Sequence, residues 1–206
     1  DKYGDARRSR IEYAGGEMNI EDLIADEQVV ITISHAGYIK RTPLSEYKTQ
    51  NRGGVGQKSA GTRDQDFLEH MYVATNHQYI LFFTQKGKCF WLRVYEIPEG
   101  SKQAKGRAIQ NLINIENDDK VKAFICTQDL RDATYTGNHY IVMCTKQGQV
   151  KKTSLEQYSR PRQNGINAIT IKEGDELLEA KLTDGNSKVL IAAKNGKMVR
   201  FDESKT

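Results

Sequence analysis

One pattern recurs four times in this chain, and the repetition limits the fold more than any single motif does. Each copy is an apolar run, a tight glycine turn and a second run that alternates or carries basic residues. The copies are VVITISHAGYIKRT around Gly37, YILFFTQKGKCFWLRV around Gly87, YIVMCTKQGQVKKTSL around Gly148 and KVLIAAKNGKMVRF around Gly196. The turn glycines stand 50, 61 and 48 positions apart. A period of about 50 residues built on β-hairpins predicts stacked or radial blades, an all-β chain of the propeller type.

A second half follows each turn. Ten residues past the glycine stand Tyr47, Ile97 and Tyr158, and then come the basic glycine loops QNRGGVGQK (50–58), SKQAKGRAI (101–109) and RPRQNGINAI (160–169). Gly54 and Gly165 lie 17 residues beyond their turn glycines, and Gly106 lies 19 beyond. An acidic turn and an apolar strand complete the copy, as DQDFLEHMYVA (64–74), DDKVKAFIC (118–126) and GDELLEAKL (174–182). These units place the blades at roughly 15–63, 64–109, 110–169 and 170–206, about four in all. Residues 1–14, DKYGDARRSRIEYA, are polar and read as a connector from an upstream domain.

Charge follows the same phase. The totals, 31 Lys and Arg against 27 Asp and Glu, give a net charge of only +4. Yet 40–63 is strongly basic with Glu46 as the sole early acid, 146–162 is basic apart from Glu156, and 17–27 and 173–184 are acidic. In an array of like units one phase lands on one rim, so the basic phase predicts a positive stripe of the kind that binds a polyanion. A mixed solubilising rim is the plainer alternative.

The runs YILFF (79–83), YIVMC (140–144) and VLIAA (189–193) lack alternation, which predicts strands buried on both faces between neighbouring blades. The partner strands YIKRT (38–42) and QVKKTS (149–154) are expected to be more exposed. A single short helix is expected over NIEDLIADE (19–27), with Asn19 as its cap. Cys89, Cys126 and Cys144 are far apart without a CxxC pair and read as small core residues of a reducing compartment. With no apolar stretch of about 18 residues and no leader pattern, neither a membrane span nor secretion is predicted, and the expected location is the cytoplasm.

Residues 50–56, Gln-Asn-Arg-Gly-Gly-Val-Gly, with YKTQ before them and TRDQDFLEHMYVATNHQYILFFTQKGKCFWLRVYEIP after, closely resemble the C-terminal domain family of DNA gyrase A. That family carries the box Gln-(Arg/Lys)-Arg-Gly-Gly-(Arg/Lys)-Gly. Gln50, Arg52, Gly53, Gly54 and Gly56 match, whereas Asn51 and Val55 replace basic residues. The resemblance runs through residues 7–201 and includes AKGRAIQNL (104–112). It implies a β-pinwheel that wraps double-stranded DNA with positive sense around a basic rim, in support of negative supercoiling by a bacterial enzyme. It further implies a parent in which a gyrase A homodimer joins gyrase B and uses ATP and Mg. The catalytic tyrosine and the ATPase would lie outside this chain, so the domain itself is expected to be non-catalytic and without cofactor or metal. The family ring has six blades, so this stretch would be either truncated or an open arc, with an exposed edge inclined to self-associate.

Local chemistry agrees. Arg52 beside Gly53 and Gly54 can reach a phosphate while unshielded amides form an anion nest, although a tight interblade connector would need the same glycines. The segment lacks the Gly-Lys-Ser/Thr of a nucleotide loop. The loss of two basic residues predicts weaker DNA binding than a fully basic box, restored by Asn51→Arg with Val55→Arg. The expected DNA contacts are Lys40, Arg41, Gln50, Arg52, Gly53, Gly54, Gly56, Lys58 and Arg63 in the first blade. The second offers Lys86, Lys88, Arg93, Lys102, Lys105 and Arg107, the third Lys146, Lys151, Lys152, Arg160 and Arg162, and the fourth Lys194, Lys197 and Arg200.

Other candidates read as structural. His35, His70, His77 and His139 lack ligand spacing. The acid pairs Asp118-Asp119 and Asp175-Glu176 recur at one phase before a strand, which suits a turn better than an acid–base dyad. Tyr47, Tyr158 and Trp91 are expected to pack between blades, with edge contact to DNA as the other possibility. Two other readings remain open: the equivalent C-terminal domain of topoisomerase IV, and a propeller whose rim binds protein.

Overall fold

The computed structural model describes residues 20–47 and 66–206. The described strands are β1 (Gln28–Ser34), β2 (Tyr38–Pro43), β3 (Leu68–Thr75), β4 (Tyr79–Thr84), β5 (Lys88–Arg93), β6 (Arg107–Ala108), β7 (Val121–Thr127), β8 (Tyr140–Thr145), β9 (Val150–Ser154), β10 (Ile166–Asn167), β11 (Leu177–Thr183), β12 (Lys188–Ala192) and β13 (Met198–Asp202). They form sheets ordered β3-β1-β2-β6, β10-β5-β4-β7, β11-β8-β9 and β12-β13, with antiparallel pairing between named strands. The architecture is all-β, as the repeat predicts. The expected helix over 19–27 shrinks to a 3-10 turn at Ile20–Leu23, and the short helix α1 (Ala133–Gly137) lies between β7 and β8.

The sheets do not follow the contiguous boundaries read from the repeat. β3 lies beyond residue 63 yet pairs with β1, and β7 and β11 likewise join the hairpins that precede them in the chain. The larger departure is at the opposite edge. β6 belongs to the second repeat but pairs with β2 of the first sheet, Tyr38 opposite Ala108. β10 belongs to the third repeat but pairs with β5 of the second sheet, Ile166 opposite Cys89. Each basic loop therefore crosses back onto the preceding sheet and completes it, which a linear reading of the repeat does not reveal.

This crossing explains why β2 is more buried than YIKRT suggests. Residues 97–109 line the edge that would otherwise be open, so Ile39, Lys40 and Thr42 are buried. Gly106 and Gly165 make the approach possible. A side chain at Gly106 would place its Cβ 2.5 Å from the Ile39 carbonyl oxygen, and one at Gly165 would place it 2.8 Å from that of Cys89. Both have positive φ, 81° and 68°, so a β-carbon is excluded by contact and by backbone conformation alike.

The core sits between sheets, and alternate residues of one strand divide between two clusters. Ile80 and Phe82 of β4 pack toward the first sheet with Ile31, Ile33 and Ile39, while Leu81 and Phe83 pack toward the third with Ile141 and Met143. A fully buried side chain of this kind contributes roughly 1.5–3 kcal/mol, so β4 pins three sheets together. Trp91 and Tyr158 join the second cluster, in keeping with the packing role expected of them. VLIAA behaves differently: no residue of β12 or β13 belongs to either cluster, and Leu190 is 59% exposed. Its apolar run is the same kind as that of β4, but no sheet is stacked over it among the described residues.

Three aspartates at one phase hold the first three hairpin turns to their outer strands. Asp66 Oδ1 accepts the amides of Ala36 and Phe67, both at 2.9 Å. Asp119 Oδ1 accepts those of Lys86 (3.1 Å) and Lys120 (2.9 Å), and Asp175 Oδ1 those of Gln147 (3.0 Å) and Glu176 (2.8 Å). One acid of each pair, Asp119 and Asp175, thus acts as a turn latch, as the recurrence suggested, and each contact is charge-assisted.

Candidate nucleic-acid interface

The basic residues singled out above separate into three structural groups. The first is turned inward. Lys40 is 2% exposed, and its ammonium donates to the carbonyls of Ser101 and Lys102, each at 2.7 Å. Desolvation lowers its pKa, with Glu46 opposing. Arg41 donates from Nε to the Ile97 carbonyl at 2.8 Å and pairs with Glu99 at 2.8 Å. Arg93 is 7% exposed. Its guanidinium lies 3.8 Å from the Tyr79 ring centroid, pairs with Glu21 at 2.9 Å and donates to the His77 carbonyl. Lys40 and Arg93, expected as DNA contacts, are corrected to structural residues. Both are buried and bonded to neighbouring chain, Lys40 by the crossing segment and Arg93 beneath the 20–23 turn.

Arg41 also belongs to an interblade tether. Four residues past the turn glycine, its Nε holds the carbonyl of Ile97, ten past the next one. Trp91 repeats this one sheet later, donating from Nε1 to the Tyr158 carbonyl at 2.9 Å. At the same phase Lys152 stacks on the Tyr140 ring, 4.4 Å from its centroid, and lies 3.8 Å from buried Glu203. Neighbouring Lys151 donates to the Ala168 carbonyl at 2.6 Å. Lys102 stands over the Tyr47 ring, 4.5 Å from its centroid.

The second group sits on the hairpin turns and faces acids. Lys86 meets Asp118 at 2.6 Å and Glu116 at 2.9 Å, and Lys88 meets Glu116 at 2.5 Å. Lys146 pairs with Glu176, which also lies 3.6 Å from Lys122. In the first sheet His35 takes the corresponding role with Glu69 at 3.2 Å.

The third group is exposed and faces no carboxylate among the described residues: Lys105 and Arg107 on the first crossing, Arg160 and Arg162 on the second, and Lys194, Lys197 and Arg200 on the fourth hairpin. Lys120 and Lys172, which the charge reading did not single out, share this state. Their signal was present as bases set within acidic turns. The box at residues 50–56, together with Lys58 and Arg63, lies outside the described residues, as do the 1–14 connector and Asn19.

The remaining titratable groups serve the fold. His77 bonds the Ile24 carbonyl at 2.7 Å and His139 that of Tyr135 at 2.8 Å, while His70 lies against Tyr72 and Phe124. Among the described residues no group of three or more His, Cys, Asp or Glu gathers as metal ligands would. Burial pushes the Cys126 thiol up to about 12 and raises those of Cys89 and Cys144. No described helix is long and apolar enough to cross a membrane.

Comparison with known proteins places this architecture. The DNA gyrase C-terminal domain β-propeller family matches residues 28–75, 78–128 and 139–184. DNA gyrase A of Aeromonas salmonicida is 42% identical over 98% of this chain, and that of Staphylococcus epidermidis 44% over 99%; the chain spans 22% of the length of each. Among solved structures, the C-terminal domain of DNA topoisomerase IV superposes with a TM-score of 0.72 at 31% identity, covering 88% of this chain and 54% of that one. A DNA gyrase A C-terminal domain superposes at 0.63 and 23% identity, covering 85% and 55%, which supports the fold. The family's repeats coincide with the three hairpin-plus-outer-strand units described above, and the chain belongs to the DNA gyrase C-terminal domain β-propeller family, as a C-terminal domain of the gyrase A type.

Proposed function

We propose that this domain binds duplex DNA through its phosphates along the crossing strands and bends it across successive sheets, giving the wrap that gyrase needs for negative supercoiling. The observation that carries this reading is the state of Lys105, Arg107, Arg160 and Arg162. They are exposed and without a carboxylate partner among the described residues, and they project from equivalent crossings on neighbouring sheets. Cations so repeated follow a phosphate backbone without reading bases, and their affinity falls steeply with salt. Smooth bending stores elastic energy, so flexible sequences are favoured over any base motif. The chain spans 22% of the length of the gyrase A relatives, and in such a parent strand passage, ATP with Mg, gyrase A dimerisation and the contact with gyrase B would fall to other regions.

The test is topological. Nicked circular plasmid is incubated with the domain, sealed by ligase, deproteinised and resolved on a chloroquine gel. A shift to positive linking number is expected. Retardation of DNA without a linking change would favour a topoisomerase IV-like domain that holds DNA without wrapping it, a reading to which the 0.72 superposition lends weight. Binding insensitive to salt would overturn both and favour a protein-binding rim.

A further inference from the structure

The second hairpin turn carries two lysines at the place where a rim should be most positive, and both are occupied. Glu116 bridges them, with Oε2 2.9 Å from Lys86 Nζ and Oε1 2.5 Å from Lys88 Nζ, while Asp118 Oδ2 lies 2.6 Å from Lys86. All four side chains are exposed to solvent. The turn is also fixed from behind, because the Lys86 amide is held by buried Asp119. The ammonium groups therefore stand at a set position with two carboxylates where phosphate oxygens would otherwise sit. Lys88 and then Lys86 hold the Glu116 carboxyl down at about 2, so it stays ionised at any ordinary pH. The fourth hairpin offers the contrast: Lys194 and Lys197 face no carboxylate among the described residues.

We propose that Glu116 and Asp118 form a built-in phosphate mimic that withholds Lys86 and Lys88 from DNA. The second sheet then contributes through the crossing residues Arg160 and Arg162 and through open Lys120, but not through its hairpin lysines, until the carboxylates are displaced. The physical basis is competition at one position. A phosphate reaching these lysines must break charge-assisted contacts already made and approach two negative groups. Fewer counterions are released than the lysine count suggests, so the salt slope is shallow for so basic a phase.

This inference rests on the DNA-binding reading above, and the experiment separates the two. Binding of the 206-residue chain to a fluorescent duplex of about 40 base pairs is followed by anisotropy between roughly 50 and 300 mM salt. Glu116→Gln with Asp118→Asn is expected to raise affinity roughly tenfold at about 150 mM and to steepen the slope by about 1.8, two contacts at about 0.9 each. Adding Lys86→Gln and Lys88→Gln to that variant should return both values to those of the unaltered protein. Glu27→Gln with Glu173→Gln removes the same charge at exposed sites outside any described ion pair, and should raise affinity less than about twofold with no change of slope. The proposal is overturned if the acid-to-amide variant binds like the unaltered protein. It is equally overturned if the gain survives loss of the two lysines, or if the charge-matched control reproduces it. Absence of binding by every variant, even at the lowest salt, would overturn the DNA-binding reading itself and this inference with it.

Discussion

Arg93 and Arg162 both lie in the basic stretches that follow the turn glycines of neighbouring repeats, 6 and 14 residues on, yet the fold uses them in opposite ways. Arg93 ends β5 beneath the 20–23 turn, with its guanidinium over Tyr79 and against Glu21. Arg162 stands on a crossing loop in solvent, facing no carboxylate among the described residues. The difference teaches that basic phase alone does not make a rim. Whether a cation is available depends on what the neighbouring repeat lays over it, and in this architecture each repeat lays its loop over the one before.

The sharpest way to break the comparison is to remove a covered cation. Arg93→Ala should cost about 3 kcal/mol, because it removes a buried guanidinium from the Tyr79 ring and the His77 carbonyl and leaves Glu21 with exposed Arg131 as its remaining described partner. Equilibrium denaturation would show the loss, while folded protein should keep its salt slope for DNA. A slope lowered by about one would return Arg93 to the DNA interface. Next in size is Asp119→Ala, which leaves the Lys86 and Lys120 amides without their acceptor at a buried site; about 2 kcal/mol is expected by thermal or denaturant unfolding.

The exposed side of the comparison predicts the reverse pattern. Arg160→Gln with Arg162→Gln should leave the unfolding midpoint unchanged and lower the DNA salt slope by about 1.8. A loss of stability instead would place those arginines among the structural cations. The smallest effect is expected at the tether. Trp91→Phe removes the hydrogen bond to Tyr158 and trims part of the buried ring, costing about 1.5 kcal/mol. Faster amide exchange confined to the 158–167 crossing would mark it as an interblade tie, whereas uniform acceleration would mean that Trp91 matters only as core volume.

Much of the fold is legible in the sequence. The four hairpins, their glycine turns, the two-faced burial of YILFF and YIVMC and the turn role of Asp119 and Asp175 follow from local pattern, since strand alternation, turn chemistry and apolar runs are local properties. The same pattern misreads VLIAA, where burial depends on a neighbouring sheet that the run cannot specify. It also misreads YIKRT, because nothing within those residues says that 97–109 will cover them. A hint does exist in RAI after Gly106 and INAI after Gly165, short apolar-alternating stretches that become the crossing strands.

For the candidate interface the division is similar. Charge phase in the sequence indicated where cations concentrate and that they repeat, and the resemblance pointed to a duplex as the partner. Only the tertiary structure sorted those cations into covered, paired and open. The physical reason is range. Helix, strand and turn preferences act within a few residues, but Lys40 meets Ser101, Arg93 meets Glu21 and Lys88 meets Glu116. Contacts between residues so far apart are set by how the repeats pack across one another, a long-range order that repeat phase suggests and chain crossing decides.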